Sequence, residues 1–226
     1  RSISAWRSVL KARNAYNKIN KSLHYSPSLK QAKNVQLSQG PLRVYGIRYR
    51  YPNDKKALFH SINFKVQPGE AIALIGKSAA GKSTLSKLII GITKPSSGTV
   101  SINRQDFADC DPEVLGKHIG YLPQSVELFA GTVQENIARM QDGDPEQVIQ
   151  AAKMVGIHDS ITQFNDGYDT EIGEDGAYLS GGQRQRLGLA RAVYSNPWLV
   201  VLDEPDAHLD TEGKVALIMT IKKLKA

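Results

Sequence analysis

The 226-residue chain has one cysteine, Cys110. One thiol builds no internal disulfide framework, so stability must come from a packed core, and a reducing compartment is the default expectation. Long apolar runs are also missing: the longest, such as residues 71–75 and 199–202, fall far short of the ~18 residues that signal a membrane span. The opening residues lack the apolar stretch of a secretory signal. Acidic residues are absent from the first 40 positions, which hold eight Lys or Arg, whereas the remaining 186 carry 21 basic and 22 acidic residues. The net charge of +7 therefore belongs to an N-terminal segment and not to the body. That distribution excludes a basic fold gripping nucleic-acid backbones, and ordinary shares of aromatic and charged residues exclude a disordered or fibrous chain.

In residues 1–25, Trp6, Val9, Ala12, Tyr16, Ile19 and Leu23 recur at three- and four-residue steps among basic residues, which predicts an amphipathic helix. Two readings stay open: a helix packed on its own domain, or a cytoplasmic extension of a membrane helix, where Lys and Arg accumulate. Residues 26–40 read as a linker. Residues 42–51 and 57–66, around the turn-like Pro52, Asn53 and Asp54, predict two strands and a hairpin. The apolar run 71–75 before a Gly-rich turn predicts a buried parallel strand. Residues 83–92 predict a helix with Leu85, Leu88, Ile89 and Ile92 inward. Strands follow at 99–102 and 118–122, a mostly helical block at about 126–161, a helix at 181–194, a second buried strand at 199–202 and a closing helix at 212–224. Strands followed by helices, with a helical insertion midway, predict an α/β core carrying a helical subdomain at about 125–190.

Three motifs carry chemistry. Gly76, Lys77, Ser78, Ala79, Ala80, Gly81, Lys82 and Ser83 fit G-x-x-x-x-G-K-[ST] between a predicted strand and a helix. Such a loop cradles a β-phosphate on backbone amides, with Lys82 neutralising β/γ charge and the Ser83 hydroxyl available to Mg²⁺. An apolar strand at 199–202 ends in Asp203 and Glu204, the usual partner of that loop, with Asp203 placed to hold Mg²⁺ through its water shell and Glu204 to take a proton from the attacking water. Ser180, Gly181, Gly182 and Gln183, followed by Arg184, Gln185 and Arg186, open a predicted helix with exposed amides and make a second anion site. Because the chain already has one phosphate loop, the second suits a neighbour's nucleotide.

The run 179–183, LSGGQ, resembles the signature of ATP-binding cassette (ABC) ATPases, and the likeness spans nearly all of residues 41–226. It implies an α/β P-loop ATPase core of ABC type with an antiparallel β-subdomain and an inserted helical subdomain. It also implies that Gln124 reaches the metal and the attacking water, that Leu209 and Asp210 end the D-loop, and that nucleotide contacts extend to Thr84. Tyr51 lies where the family stacks a ring on adenine, with Tyr49 as the rival. Gly173 and Glu174 resemble the exporter element that touches the coupling helices. GYLPQSVELFAGTVQENIAR, DGYDTEIGEDGAYLSGGQRQRLGLARA and SAAGKS resemble type I secretion exporters, particularly the protease-secretion branch.

That branch implies a homodimer with ATP and Mg²⁺ sandwiched between one protomer's P-loop and its partner's signature, on the cytoplasmic face of the inner membrane. A membrane-spanning domain in the same chain, a periplasmic adaptor and an outer-membrane channel go with it. The residue 1–25 helix would then continue the last membrane helix. The remaining alternatives are a lipid or drug exporter, a DNA-maintenance ABC-type ATPase and a non-catalytic regulatory module. The first shares every motif; the second calls for coiled-coil insertions or a distributed basic face; the third is disfavoured by Lys82 and Glu204. Two positions depart from the family pattern. Ala79 replaces a common Gly, which costs about 1 kcal/mol if the backbone needs a positive φ. The family's switch histidine belongs to a strand after the closing helix, and none of the five histidines here fits, His208 lying inside the D-loop.

Overall fold

The computed structural model describes residues 37–225 and, upstream, Arg13, Ala15, Tyr16, Ile19 and Asn20. Those five are helical and exposed. Trp6, Val9, Ala12 and Leu23 of the expected apolar stripe lie outside the described residues, as does most of the expected linker.

Strands β1 (Leu42–Tyr49) and β2 (Phe59–Val66) form the expected antiparallel hairpin, and β1 also pairs antiparallel with β3 (Ser97–Ile102), which continues to β4 (Gln105–Asp106) in the order β2-β1-β3-β4. The register of β1 slips against both neighbours near Gly46, whose φ is 61°. A bulge there lets Val44 and Ile47, three residues apart, both point inward. Helix α1 (Lys82–Ile89) packs Leu85, Leu88 and Ile89 against this sheet. Ile92, expected inward, is exposed, because the helix stops at Ile89 and Gly91, at φ 79°, turns the chain away.

Helix α2 (Pro112–Lys117) leads to β5 (Ile119–Leu122), which pairs in parallel with β6 (Leu199–Leu202). Between them lie α3 (Val133–Ile137), α4 (Pro145–Met154), α5 (His158–Thr162) and the 13-residue α6 (Gly181–Val193), and α7 (Thr211–Leu224) closes the described body. Asp111, Thr132, Asp144, Ser180 and Asp210 each cap the helix that follows by accepting a backbone N–H, as their residue types favour. A second core gathers Leu122, Val133, Ile137, Val148, Leu187 and Leu189. Full burial of each contributes about 1.5–3 kcal/mol. Strand β5 joins the two cores, since Ile119 packs into the first and Leu122 into the second.

Two strand expectations are corrected. Residues 71–75 form no strand, and Ile72, Leu74 and Ile75 are exposed. An apolar run signals burial but not a pairing partner. A strand inside a parallel sheet needs a ladder at each edge, and among the described residues the parallel sheet has only two strands. Residues 71–74 instead line a cavity of about 580 Å³ that also touches the run from Leu199 to Pro205. Consequently β6, expected buried, is only half-buried along its length.

Candidate functional site

Helix α1 is entered differently from the helices with side-chain caps. Its N-cap is Gly81, with φ 90°, and no side chain bonds its first amides. A Cβ at Gly81 would come within 2.7 Å of Phe59 and 2.8 Å of Leu58, so glycine is required by both conformation and space. The helix start therefore presents uncapped N–H donors at the positive end of the dipole, which suits an anion. Lys82 Nζ donates to the carbonyls of Gly76 and Lys77, at 3.0 and 3.1 Å, folding the ammonium over its own loop. Ala79 does adopt a positive φ, 61°, so this chain carries the strain of about 1 kcal/mol that glycine avoids. Residues 76–80 are exposed, and Ser83 and Thr84 follow in the first turn.

The Tyr51 hydroxyl lies 2.6 Å from Thr84 Oγ1, which ties that ring to the loop helix. Tyr51 stays 41% exposed and borders a depression of about 380 Å³ with Lys55 and Lys56, whereas Tyr49 is half-buried against the sheet core. The two rings meet edge to face at 5.1 Å. Of the two tyrosines, Tyr51 is the more exposed and the one bonded to the loop helix.

Gln124 and the two acids sit just past the carboxyl ends of β5 and β6, where open α/β sheets place their ligands. The parallel ladder runs on for one bond, Asp203 N–H donating to the Leu122 carbonyl at 2.9 Å, so the two strand ends are held level. Gln124 Nε2 then donates to Glu204 Oε2 at 2.9 Å across 80 residues of sequence. Glu204 has a φ of 51° and an exposed side chain. Asp203 is buried, and its Oδ2 has no hydrogen-bond partner. Burial and, next, the Asp203 charge push the Tyr121 phenol above its ordinary value. Lys82, Asp203 and Glu204 border the same cavity.

Ser180 and Gln183 form a reciprocal capping box at the start of α6: Ser180 Oγ accepts the Gln183 amide at 3.2 Å, and Gln183 Oε1 accepts the Ser180 amide at 2.9 Å. Gly181 and Gly182 lie against His208, within 3.6 Å of its Cβ and 3.3 Å of its carbonyl, measured from where a Cβ would stand. Among the described residues, no hydrogen bond or ion pair joins residues 76–84 to residues 180–183. Gly173 and Glu174 fall in a turn whose next residue, Asp175, accepts the Leu128 amide at 3.3 Å and faces Arg184 at 3.8 Å.

Sequence reasoning assigned no role to Asp175, or to Gln185, whose buried amide donates to the Pro205 carbonyl just ahead of residues 206–210. Position within α6 was the available signal for Gln185, one turn past Gly181, but which segment lies beneath that face is a tertiary fact.

A Gly-rich loop feeding an uncapped helix start, with acids at the ends of a parallel sheet bordering the same cavity, places the chain among P-loop nucleotide hydrolases. The ABC transporter family profile matches residues 59–207, and the chain belongs to that family as an ATPase domain. It is 40% identical over 225 residues to the type I secretion system ATP-binding protein PrsD of Rhizobium meliloti (strain 1021), a match covering 99% of this chain and 39% of PrsD. It is also 40% identical over 187 residues to the leukotoxin translocation ATP-binding protein LktB of Mannheimia haemolytica, covering 82% of this chain and 26% of LktB. A bacterial Atm1-family ABC exporter with ATP bound superposes with a TM-score of 0.83 at 28% identity, over 97% of this chain and 39% of that one. The chain thus spans well under half the length of these relatives. No described helix is long and apolar enough to cross a membrane.

Proposed function

We propose that this chain is the ATP-hydrolysing domain of a membrane exporter that secretes polypeptides by a type I route. It works as a homodimer at the cytoplasmic face of the inner membrane, with a membrane-spanning part in the same polypeptide and a periplasmic adaptor and outer-membrane channel as partners. The names of PrsD and LktB, at 40% identity, support the cargo class. The observation that carries the catalytic reading is the 2.9 Å bond from Gln124 to Glu204 beside the buried, unpartnered Asp203 oxygen.

In this reading the amides of residues 76–83 and the start of α1 hold the β-phosphate. Lys82 exchanges its two carbonyl contacts for phosphate oxygens. Tyr51 stacks on the base, and Thr84 holds the ring in place. A buried carboxylate oxygen without a donor needs a cation, and hard oxygen donors such as Asp203 and the Ser83 hydroxyl suit Mg²⁺. Mg²⁺ there would neutralise charge on the β- and γ-phosphates. Glu204 accepts the proton of the attacking water, and Gln124 orients that carboxylate by donating to its other oxygen. Residues 180–183 contact the γ-phosphate held by the partner protomer, and the segment around Gln124, Gly173 and Glu174 passes closure on to the membrane part.

The test mixes, in the complete exporter, a Lys82→Ala protomer with a Ser180→Arg protomer, each inactive as a homodimer. One interface of the mixed pair then carries both lesions and the other carries neither, so ATPase activity returns in part. A mixture that stays inactive while heterodimers form refutes independent shared sites.

A further inference from the structure

The segment after β6 is held in an unfavourable shape. Glu204 and His208 both adopt left-handed backbone conformations, with φ of 51° and 61°, which residues with a Cβ keep only when their surroundings enforce them. The turn has a bond of its own, Ala207 N–H donating to the Glu204 carbonyl at 3.1 Å, and further contacts reach it from α6. Gln185 Nε2 donates to the Pro205 carbonyl at 3.3 Å, Arg186 approaches the Asp210 carboxylate at 4.0 Å, and Gly181 and Gly182 lie against His208. Of the two side chains that reach across, Gln185 is the buried one, at 3% exposed, and its bond ends on the peptide unit immediately after the Glu204–Pro205 link.

We propose that Gln185 is a positioning residue for ATP hydrolysis. Its amide holds the Pro205 carbonyl, and that bond keeps Glu204 in the left-handed turn from which its carboxylate meets Gln124. Without the donor, the Pro205 peptide is free to rotate, Glu204 relaxes towards an ordinary φ, and its carboxylate swings out of line with the water it must deprotonate. Gln185 touches no reacting atom and acts only through Glu204. The inference therefore rests on Glu204 being the base.

The experiment uses the complete exporter and measures kcat and KM for ATP, together with Tm, for Gln185→Met, Glu204→Gln and the double variant. Methionine keeps the length and bulk of the side chain and loses the donor. Misplacement of a reacting group by about 1 Å costs up to about 100-fold, so Gln185→Met is expected to lower kcat about 10- to 100-fold while KM for ATP changes less than about 3-fold. Added to Glu204→Gln, it should cause no further loss. A wild-type kcat in Gln185→Met beside an inactive Glu204→Gln overturns the inference and leaves the base assignment intact. Normal hydrolysis by Glu204→Gln overturns the base assignment and the inference with it.

Should the methionine variant fail to fold, Gln185→Glu supplies the answer through pH. A buried carboxyl donates to the carbonyl only when protonated, so the ratio of its kcat to that of wild type should rise from about pH 8 to about pH 6. A ratio flat across that range overturns the proposal.

Discussion

Two glycines four residues apart should respond in opposite directions to the same added methyl group. Gly120 lies in β5, where α6 ends against the strand. A Cβ there would overlap the Ala192 carbonyl oxygen and stand 2.9 Å from its carbon and 3.1 Å from Pro197 Cγ. The obstacle is helix backbone and cannot rotate away. Nor can α6 readily retreat, because Arg139 donates to the carbonyls of Arg191 at 3.2 Å, Tyr194 at 3.5 Å and Gly116 at 2.9 Å, pinning the helix end. Overpacking costs about 1–3 kcal/mol where side chains can adjust. With a clamped backbone the upper end applies, so Gly120→Ala should cost about 3 kcal/mol. At ~2–4 °C per kcal/mol for a body of this size, Tm should fall by about 6–12 °C.

Gly116, in α2, has nothing within 4 Å of its virtual Cβ and no positive φ. Alanine there improves helix propensity by up to about 1 kcal/mol, and Tm should rise by about 2–4 °C. Thermal melts of both variants without nucleotide decide the matter. A Gly120→Ala variant melting within about 2 °C of wild type would refute the close approach of α6 to β5. Because Gln124 follows the same strand, Gly120→Ala should also lower ATPase activity more than Gly116→Ala does.

Tyr51→Ala should weaken ATP binding about 10- to 100-fold through loss of a stacking face, while Tyr51→Phe loses only the 2.6 Å anchor to Thr84 and should weaken it several-fold, as titration calorimetry would report. If Tyr49→Ala reproduces the binding loss and Tyr51→Ala does not, the wrong ring has been chosen. His118 stacks on Trp198 with ring centroids 3.7 Å apart, and burial first, then Lys117, hold its pKa below the ordinary 6.5. The folded state therefore binds this proton less readily than the unfolded state, so the contribution is present in full above pH 6.5 and is lost as pH falls from there through the lower folded value. The Tm advantage of wild type over His118→Phe should shrink across that window, and a constant difference would contradict the sign.

Much of the candidate site's local geometry was legible because it is built from contiguous residues. Gly76 to Ser83, Asp203 with Glu204, and Ser180 to Gln183 each need neighbours in sequence to form a loop, a strand end or a helix start. The antiparallel hairpin was legible for the same reason, from two apolar runs around Pro52 to Asp54. What failed depends on distant chain. Residues 71–75 have the composition of a buried strand, yet composition cannot name the strand on the other side of the ladder. Ile92 kept the helical period past a glycine that ends the helix. The left-handed Glu204 turn and the Gln185 bond that meets it are set by how α6 crosses the end of β6.

The two proposed anion sites differ in a way that bears on why they would act across a pair. At α1 no side chain caps the first amides, and the cation beside them is occupied only by carbonyls of its own loop. Phosphate entering there exchanges the lysine's two neutral carbonyl acceptors for a charged partner and meets uncapped amide donors. At α6 the backbone amides of Ser180 and Gln183 are already engaged in the capping box, so those two donors must give it up to serve a ligand, whereas the Ser180 O–H can still donate while its oxygen accepts the Gln183 amide. Each such bond contributes about 0.5–1.5 kcal/mol net, which a free nucleotide must overcome before gaining anything. On the proposed reading, the α6 start offers fewer free backbone donors than the α1 start and is the weaker of the two at recruiting ATP alone. It competes only for a γ-phosphate that another protomer's P-loop has already fixed, where the entropy of capture is spent. On the same proposal, association of two chains would follow nucleotide binding rather than precede it, and release of the phosphate would let the Ser180 and Gln183 amides re-form their box, favouring separation.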